Sequence, residues 1–308
     1  MLLRRFTDFV LRSRVHAMGV AFVLSLIPLF GASLGILVAA FVTLLRGAFE
    51  GTLVLCATVA PFILSYALSF DATQSQMMMV ATATIVAINV LTWLLALVLR
   101  CYSSWSRVVG VSVLVGILLV CIIHLMFPGV QDWSGAQLTA YMNKTATMLQ
   151  QLAPTDVSAR QDVQAASMIA AMKPYITGFV VASILLNALV QLVITRWWQA
   201  IIFNPGELRK ELYRIRLDYL LAGVFIAVLA LAYVNNAYAM DMLPVMVVGF
   251  AAAGLSLVHA ILKASRAGFF WLILVYLAVI FIFPAGIVLV AMAGLLDSFF
   301  DIRLRFAR

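Results

Sequence analysis

The residues of this sequence best suited to bind a ligand are polar side chains inside long apolar runs. Asn187 and Gln191 are four residues apart and so share one face of a helix, and Asn89 lies in another apolar run. A polar group in hydrocarbon costs free energy unless it is paired. We therefore expect these three amides to be candidate ligand-binding residues, with hydrogen bonding between helices as the alternative. Hydrogen bonding is also the expected role of His124, His259, Asn235 and Asn236.

Proline and glycine interrupt the first and the last of the long apolar runs. The first interruption contains Pro28 and Gly31, and the last contains Pro284 and Gly286. In transporters, broken membrane segments of this kind often mark the binding site, because their exposed helix ends can meet a ligand or an ion. These four residues are therefore further candidates for ligand binding. The alternative is that both interruptions are kinks that pack against neighbouring helices.

The sequence does not predict an enzyme. Residues 31–35 match the letters G-x-S-x-G, but a nucleophile elbow requires a strand-to-helix turn, which an apolar membrane helix does not provide. There is no H-E-x-x-H motif, no Cys/His cluster and no pair of carboxylates within one apolar run, so neither metal chemistry nor paired acid–base catalysis is indicated. We expect no catalytic residues, no metal site and no cofactor.

Composition places the chain in the membrane. Of its 308 residues, 65% are hydrophobic and 10% are charged, and the mean hydropathy is +1.12. A soluble domain has about 25% charged residues and could not cover its surface with so few. The sequence predicts an all-α, polytopic transmembrane helical bundle of about 8–10 membrane helices that forms one membrane domain over 1–308. Because the net charge of +8 fits basic cytoplasmic loops facing anionic lipid head groups, we expect no nucleic-acid partner.

The positive-inside rule favours helical hairpins for the interrupted runs 17–45 and 267–296. If each run returns to its starting side, all but three of the 20 lysines and arginines face the cytoplasm, and only Lys144, Arg160 and Lys173 lie outside. If both runs were kinked single spans, both termini and several arginines would be exported. The sequence therefore predicts a multi-pass protein of the bacterial inner membrane with both termini in the cytoplasm.

One long polar segment, 132–173, falls outside the membrane in this topology. Apolar residues recur at helical spacing in its first half up to Pro154, and a second helix is expected after Thr155. The first helix either lies on the outer leaflet or forms a lid over an outward-facing cavity.

A second polar segment, 196–218, falls on the cytoplasmic side. Asn204 and Pro205 are typical of a helix start, and the helix is expected to span 204–217 with one apolar face. It either anchors the chain on anionic lipid or docks a cytoplasmic partner. The candidate docking residues, which point away from the apolar face, are Arg209, Lys210, Arg214 and Arg216.

The chain resembles the YybS-like family of uncharacterised bacterial membrane proteins. The resemblance rests on the Asn-Pro-Gly segment at 204–206 and on the C-terminal pattern that contains Asp297, Asp301 and Arg303. That family is distantly similar to the substrate-binding S components of energy-coupling-factor vitamin transporters. The N-terminal helices divided at Pro28 resemble S components as well.

The resemblance to S components implies partners. Ala17 and Ala21 match the small-residue pattern through which S components pack on the coupling subunit, although small residues four apart are common wherever membrane helices pack closely. S components usually have six spans, whereas about eighty largely apolar residues follow Asp218 here. The chain contains no phosphate-binding G-x-x-x-x-G-K-[ST] motif, so the resemblance implies that an ATPase partner supplies the energy.

Three functions compete at this stage. The first is an S-component-like protein that takes a small apolar or amphipathic solute from the outer side, and it predicts a cavity beside the interrupted runs. The second is a scaffold that recruits a cytoplasmic partner through the 204–217 helix, and it predicts a close-packed bundle. The third is a lipid-handling protein, which predicts a groove that opens sideways to the bilayer.

Overall fold

The computed structural model describes residues 2–68, 72–152, 170–265 and 269–306. Within these residues it contains helices and no strand, which confirms the expected all-α fold. The helices are α1 (Leu2–Arg12), α2 (Arg14–Ser25), α3 (Gly31–Arg46), α4 (Ala48–Ala67), α5 (Ala72–Tyr102), α6 (Trp105–Met126), α7 (Val130–Leu152), α8 (Ile176–Phe203), α9 (Glu207–Leu212), α10 (Tyr219–Tyr233), α11 (Ala237–Ala264), α12 (Phe269–Phe281), α13 (Ala285–Phe300) and α14 (Ile302–Phe306).

The helices confirm a multi-pass membrane protein. Five of the described helices, α4, α5, α6, α8 and α11, are long and apolar enough to cross a bilayer. Five shorter apolar helices, α2, α3, α10, α12 and α13, have 12 to 16 residues. A helix of that length spans about 18–24 Å, which is less than the hydrocarbon thickness of about 30 Å.

The first interrupted run is a helical hairpin. In a continuous helix, Ala21 and Gly35 would be about 21 Å apart. Instead, a Cβ atom added to Gly35 would lie 3.0 Å from the carbonyl oxygen of Ala21 and would overlap the Ser25 hydroxyl. Only glycine allows α2 and α3 to approach so closely. The chain reverses between them, where Leu29 has a φ of 67°.

The last interrupted run also reverses. A Cβ atom added to Gly286 would lie 2.7 Å from the carbonyl oxygen of Val279, seven residues earlier, whereas a straight helix separates such residues by about 10 Å. Helices α12 and α13 therefore fold back on each other next to Pro284. Both interrupted runs therefore fold back as expected of hairpins, and the side of the membrane to which each returns stays a prediction.

The described chain groups into two compact units. The first unit consists of Met1–Ser112, Ile184–Asp218 and Gly249–Arg308, and the second consists of Val113–Ser183 and Tyr219–Val248. The assignment of 1–308 to one membrane domain stays a prediction.

The N-terminal helices of the first unit pack around Trp198. The Trp198 ring stacks on Phe41 with 4.1 Å between ring centroids, and its Nε1–H donates to the Thr7 hydroxyl over 2.9 Å. The same core contains Ala17 and Ala21, which are 1% and 0% exposed. The assignment of these two alanines to a partner-docking surface is therefore wrong, because their small side chains serve packing inside the chain.

The polar segment 132–173, which is predicted to be external, is described only in part. Helix α7 runs from Val130 to Leu152, so it begins before Asp132. A 3₁₀ turn at Lys173–Tyr175 leads into α8. Residues 153–169, with the expected helix after Thr155, lie outside the described residues.

Candidate functional site

A chain of hydrogen bonds joins three helices of the first unit through two buried side chains and the partly exposed Ser33. The Thr92 hydroxyl donates to Gln191 Oε1 over 2.8 Å, and Gln191 Nε2–H donates to the Ser33 hydroxyl over 3.2 Å. These residues come from α5, α8 and α3. Thr92 is 0% exposed and Gln191 is 5% exposed. We call Ser33, Asn89, Thr92 and Gln191 the amide cluster, since Asn89 shares the α5 face of Thr92.

Asn89 is the member of the amide cluster with unused hydrogen-bonding capacity. It is 1% exposed, and neither its amide nitrogen nor its amide oxygen has a hydrogen-bond partner among the described residues. The indole N–H of Trp93, four residues after Asn89, is also buried without a hydrogen-bond partner among the described residues. Leaving a buried polar atom unpaired costs about 1–3 kcal/mol. A ligand amide, carbonyl or hydroxyl would recover that free energy.

The structure places the sequence-predicted ligand residues in three different roles. Gln191 and Asn89 belong to the amide cluster, whereas Asn187 lies on the exposed side of α8. Gln191 is buried and Asn187 is exposed, and the expectation that the two line one ligand site stays a prediction.

The interruptions themselves are turns. Pro28 and Pro284 are exposed, and Gly31 and Gly286 are buried where their hairpins approach most closely. None of these four has a side chain that could form a hydrogen bond with a ligand, so their predicted role depends on backbone groups at the helix ends and stays a prediction. The first interruption is nevertheless linked to the amide cluster by Ser33, which lies two residues beyond Gly31 in the first turn of α3.

A second polar network lies in the second unit and was missed by sequence reasoning. Asp241 of α11 is 0% exposed, and its Oδ2 lies 2.7 Å from His124 Nε2 of α6. Gln131 Nε2–H donates to the same oxygen over 3.0 Å, and the backbone N–H of Gly178 donates to Oδ1 over 2.9 Å. The available signal was a single acidic residue between two apolar runs, where an ionisable group is expensive.

The predicted docking segment is held by the chain's own tail. Arg303 donates to Asp297 Oδ2 over 2.8 Å and to the Tyr213 carbonyl over 2.7 Å, while Arg216 pairs with Asp301 at 2.6 Å. The residues that follow the Asn-Pro-Gly segment are thus in direct contact with residues of the C-terminal pattern.

These contacts correct the expected helix 204–217. The helix spans only Glu207–Leu212, and its N-cap is Gly206, with a φ of 86°, rather than Asn204. The helix ends at Leu212, and beyond it the carbonyls of Tyr213 and Ile215 accept hydrogen bonds from Arg303. Leu208 is buried in the chain, and so is Ile215, so the apolar face is not free to dock a partner.

The basic residues of the segment differ in their availability. Arg209 and Lys210 are exposed, and so is Arg214, whereas Arg216 is half-buried in its ion pair. Arg209 donates to the Tyr213 hydroxyl over 2.6 Å, and Lys210 lies 3.6 Å from Glu207.

Glu211 fixes the other side of the segment. It accepts hydrogen bonds from Arg196 and, over 2.9 Å, from Trp105 Nε1–H. Burial raises the pKa of Glu211, but the hydrogen bonds from Arg196 and Trp105 and the charge of Arg196 outweigh burial and hold the pKa below its ordinary value.

The fold and the buried polar networks define a multi-pass, all-α membrane protein. Residues 102–298 match a family model described as Predicted membrane protein (DUF2232), and because this is about two thirds of the sequence, the chain belongs to that family. No curated protein and no solved structure matches the chain. The matched range contains Gln191, His124 and Asp241. The resemblances to the YybS-like family and to S components stay predictions.

Proposed function

We propose that this protein binds a small, largely apolar solute in the membrane and takes part in its transport across the bacterial inner membrane. The observation that supports the proposal is the unpartnered amide of Asn89, buried beside the hydrogen-bonded Thr92 and Gln191. In an apolar interior, an unpaired polar group lowers the stability of the protein. Polar residues at such positions in membrane proteins are often functional, which supports a role in binding.

The chemistry of Asn89 suggests the class of solute. A carboxamide offers a donor and an acceptor side by side, so it complements a carboxamide, a lactam or a protonated carboxylic acid. Thr92 and Gln191 already use hydrogen bonds within the cluster, which leaves Asn89 as the specific contact. The rest of such a solute would be apolar, in keeping with the helices around it.

The proposal assigns energy supply to a partner and no catalysis to this chain. The sequence contains no phosphate-binding motif for ATP, so an ATPase with a coupling subunit would drive transport, as in the S-component systems the chain resembles. The proposed orientation places Arg196, Arg216 and Arg303 in the cytoplasm and leaves both termini on that side.

Native mass spectrometry of gently extracted protein tests the solute site. We expect the wild type to carry a small molecule that is lost in Asn89→Leu. Thr84→Val is the matched control, because Thr84 lies on the same helix and its hydroxyl donates to the carbonyl of Val80 over 2.8 Å. A wild type without a bound small molecule, or a bound mass that survives Asn89→Leu, contradicts the proposal.

Lipid handling is the second candidate function, and a groove between α1 and α2 favours it. The groove has a volume of about 530 Å³ and is lined by apolar side chains that include Phe6, Phe9, Val20 and Val23. Its apolar lining suits an acyl chain, and the arginines of α1 suit an anionic head group.

A glycine in the groove provides the test. Gly19 lines the groove, and a Cβ atom added there meets nothing within 4 Å. Gly19→Leu should therefore fill the groove without a clash and remove a copurified lipid from the native mass spectrum. Gly223→Leu, at an equally open position on α10, should leave the lipid in place. Equal lipid content in the two variants would exclude the groove as the binding site.

A further inference from the structure

We propose that the His124–Asp241 pair in the second unit is a proton-binding site, and that uptake of one proton weakens the attachment of α7. The inference does not depend on the proposed solute site, whose residues belong to the first unit. It assigns a function to the histidine–carboxylate contact between the described parts of α6 and α11.

The geometry provides a proton site with little access to water. His124 Nε2 and Asp241 Oδ2 are 2.7 Å apart, and the two side chains are 6% and 0% exposed. Histidine is the side chain that changes charge near neutral pH. A buried carboxylate next to an imidazole can stabilise the imidazolium form that proton uptake creates. The pair can therefore take up and release a proton without a large movement.

The two protonation states differ by one buried charge. With a neutral imidazole the pair carries a net charge of −1, and with an imidazolium it is neutral overall. In the first state, the negative charge of Asp241 is balanced only by dipoles, so the hydrogen bonds from Gln131 and Gly178 are charge-assisted and strong. In the second state, the imidazolium takes most of that charge, and these two bonds weaken.

Those two bonds hold the first turns of two helices. Gln131 is the second residue of α7, and its Nε2–H also donates to the Pro174 carbonyl over 3.4 Å. Gly178 lies in the first turn of α8, where an added Cβ atom would overlap the backbone of Asp241. Proton uptake at His124 therefore acts on the start of α7 through Asp241.

The other ionisable groups among the described residues around the pair do not neutralise its charge, which is therefore set by His124 and Asp241. On α11 the Tyr238 ring lies 4.7 Å from the His124 ring. On α7 and the 3₁₀ turn, Asp132 and Lys173 pair with each other at 2.7 Å, and Asp132 is 84% exposed. The ionisable side chains of α10 are those of Tyr219 and Tyr233, which are both exposed. Among the described residues, no lysine or arginine bonds to Asp241.

Two measurements on the full chain in lipid nanodiscs test the site between about pH 8 and pH 5, the range in which histidines titrate. The ¹⁵N spectrum of labelled histidine should show His124 changing from imidazole to imidazolium, and this signal should be absent in His124→Gln. As the pH falls from about 8 to 5, the rate of backbone hydrogen exchange in 130–137 and 176–182, corrected for its intrinsic pH dependence, should increase by roughly tenfold. An increase of this size is what the weakening of one charge-assisted hydrogen bond implies.

The variants separate a proton site from a purely structural contact. His124→Gln keeps a donor for Asp241 but cannot titrate, so the exchange rates should lose their pH dependence. Asp132→Asn, which alters an exposed carboxylate on the same helix, should leave the pH dependence unchanged. The proposal is overturned if His124 keeps one ionisation state across this range, or if exchange responds to pH alike in the wild type and in His124→Gln.

Discussion

Arg303 Nε–H donates to Asp297 Oδ2 over 2.8 Å, and Asp297 is 1% exposed. The same guanidinium donates to the carbonyls of Tyr213 and Ile215. This ion pair therefore connects the end of the chain with the segment that follows α9. It satisfies backbone carbonyls just beyond Leu212, where the helix ends earlier than the sequence predicts.

Removal of Arg303 should strongly destabilise the protein. Arg303→Met leaves the buried carboxylate of Asp297 without its counter-ion, and breaking a buried pair in this way costs about 3 kcal/mol. Thermal unfolding in detergent measures the loss. Arg305→Met is the control, because Arg305 is exposed. Equal stability of the two variants would show that the Arg303 ion pair contributes little.

Gly178→Ala should destabilise the second unit because its Cβ atom would overlap the backbone of Asp241. The expected loss is about 2–3 kcal/mol, as for other overpacked contacts. Gly223→Ala is the matched helical control, since nothing lies within 4 Å of a Cβ atom at that position, and it should be neutral or slightly stabilising. Thermal unfolding of both variants should separate them clearly, and the contact is unimportant if they unfold together.

Residues 148 and 214 should lie on opposite sides of the membrane. Both are exposed, and α8 crosses between them. After replacement of Cys56, Cys101 and Cys121, an impermeant thiol reagent applied to intact cells should label Met148→Cys but not Arg214→Cys. Permeabilised cells should label both. Labelling of position 214 in intact cells would invert the proposed topology.

The pairing of Glu211 with Arg196 should make stability fall in acid. Because the pKa of Glu211 is lower in the folded protein than its ordinary value of 4.5, the stabilisation is present above pH 4.5 and is lost as pH falls through the folded value. Glu211→Gln should remove this part of the pH dependence of unfolding. Glu207→Gln, a change at an exposed residue of the same helix, should retain it. Identical pH profiles for the wild type and Glu211→Gln would contradict the assignment.

The sequence by itself determined the class of protein and the two hairpins. Hydrophobic run length reports the bilayer directly, because a spanning helix must cover a fixed thickness of hydrocarbon with apolar side chains. The distribution of arginines added the reversals at Pro28 and Pro284, which the packing of Gly35 on Ala21 and of Gly286 on Val279 confirms. These features follow from the order of apolar runs and charges along the chain and need no knowledge of which helices pack together.

Only the tertiary structure decided which polar groups meet. Gln191 and Ser33 are 158 positions apart, and His124 and Asp241 are 117 apart. Helical spacing gives the face that a residue occupies but not which helix packs on it. For that reason helical spacing could not show that Gln191 and Asn89 are buried while Asn187 is exposed. The partner of Asp241 could be found only once α6 and α11 were packed together.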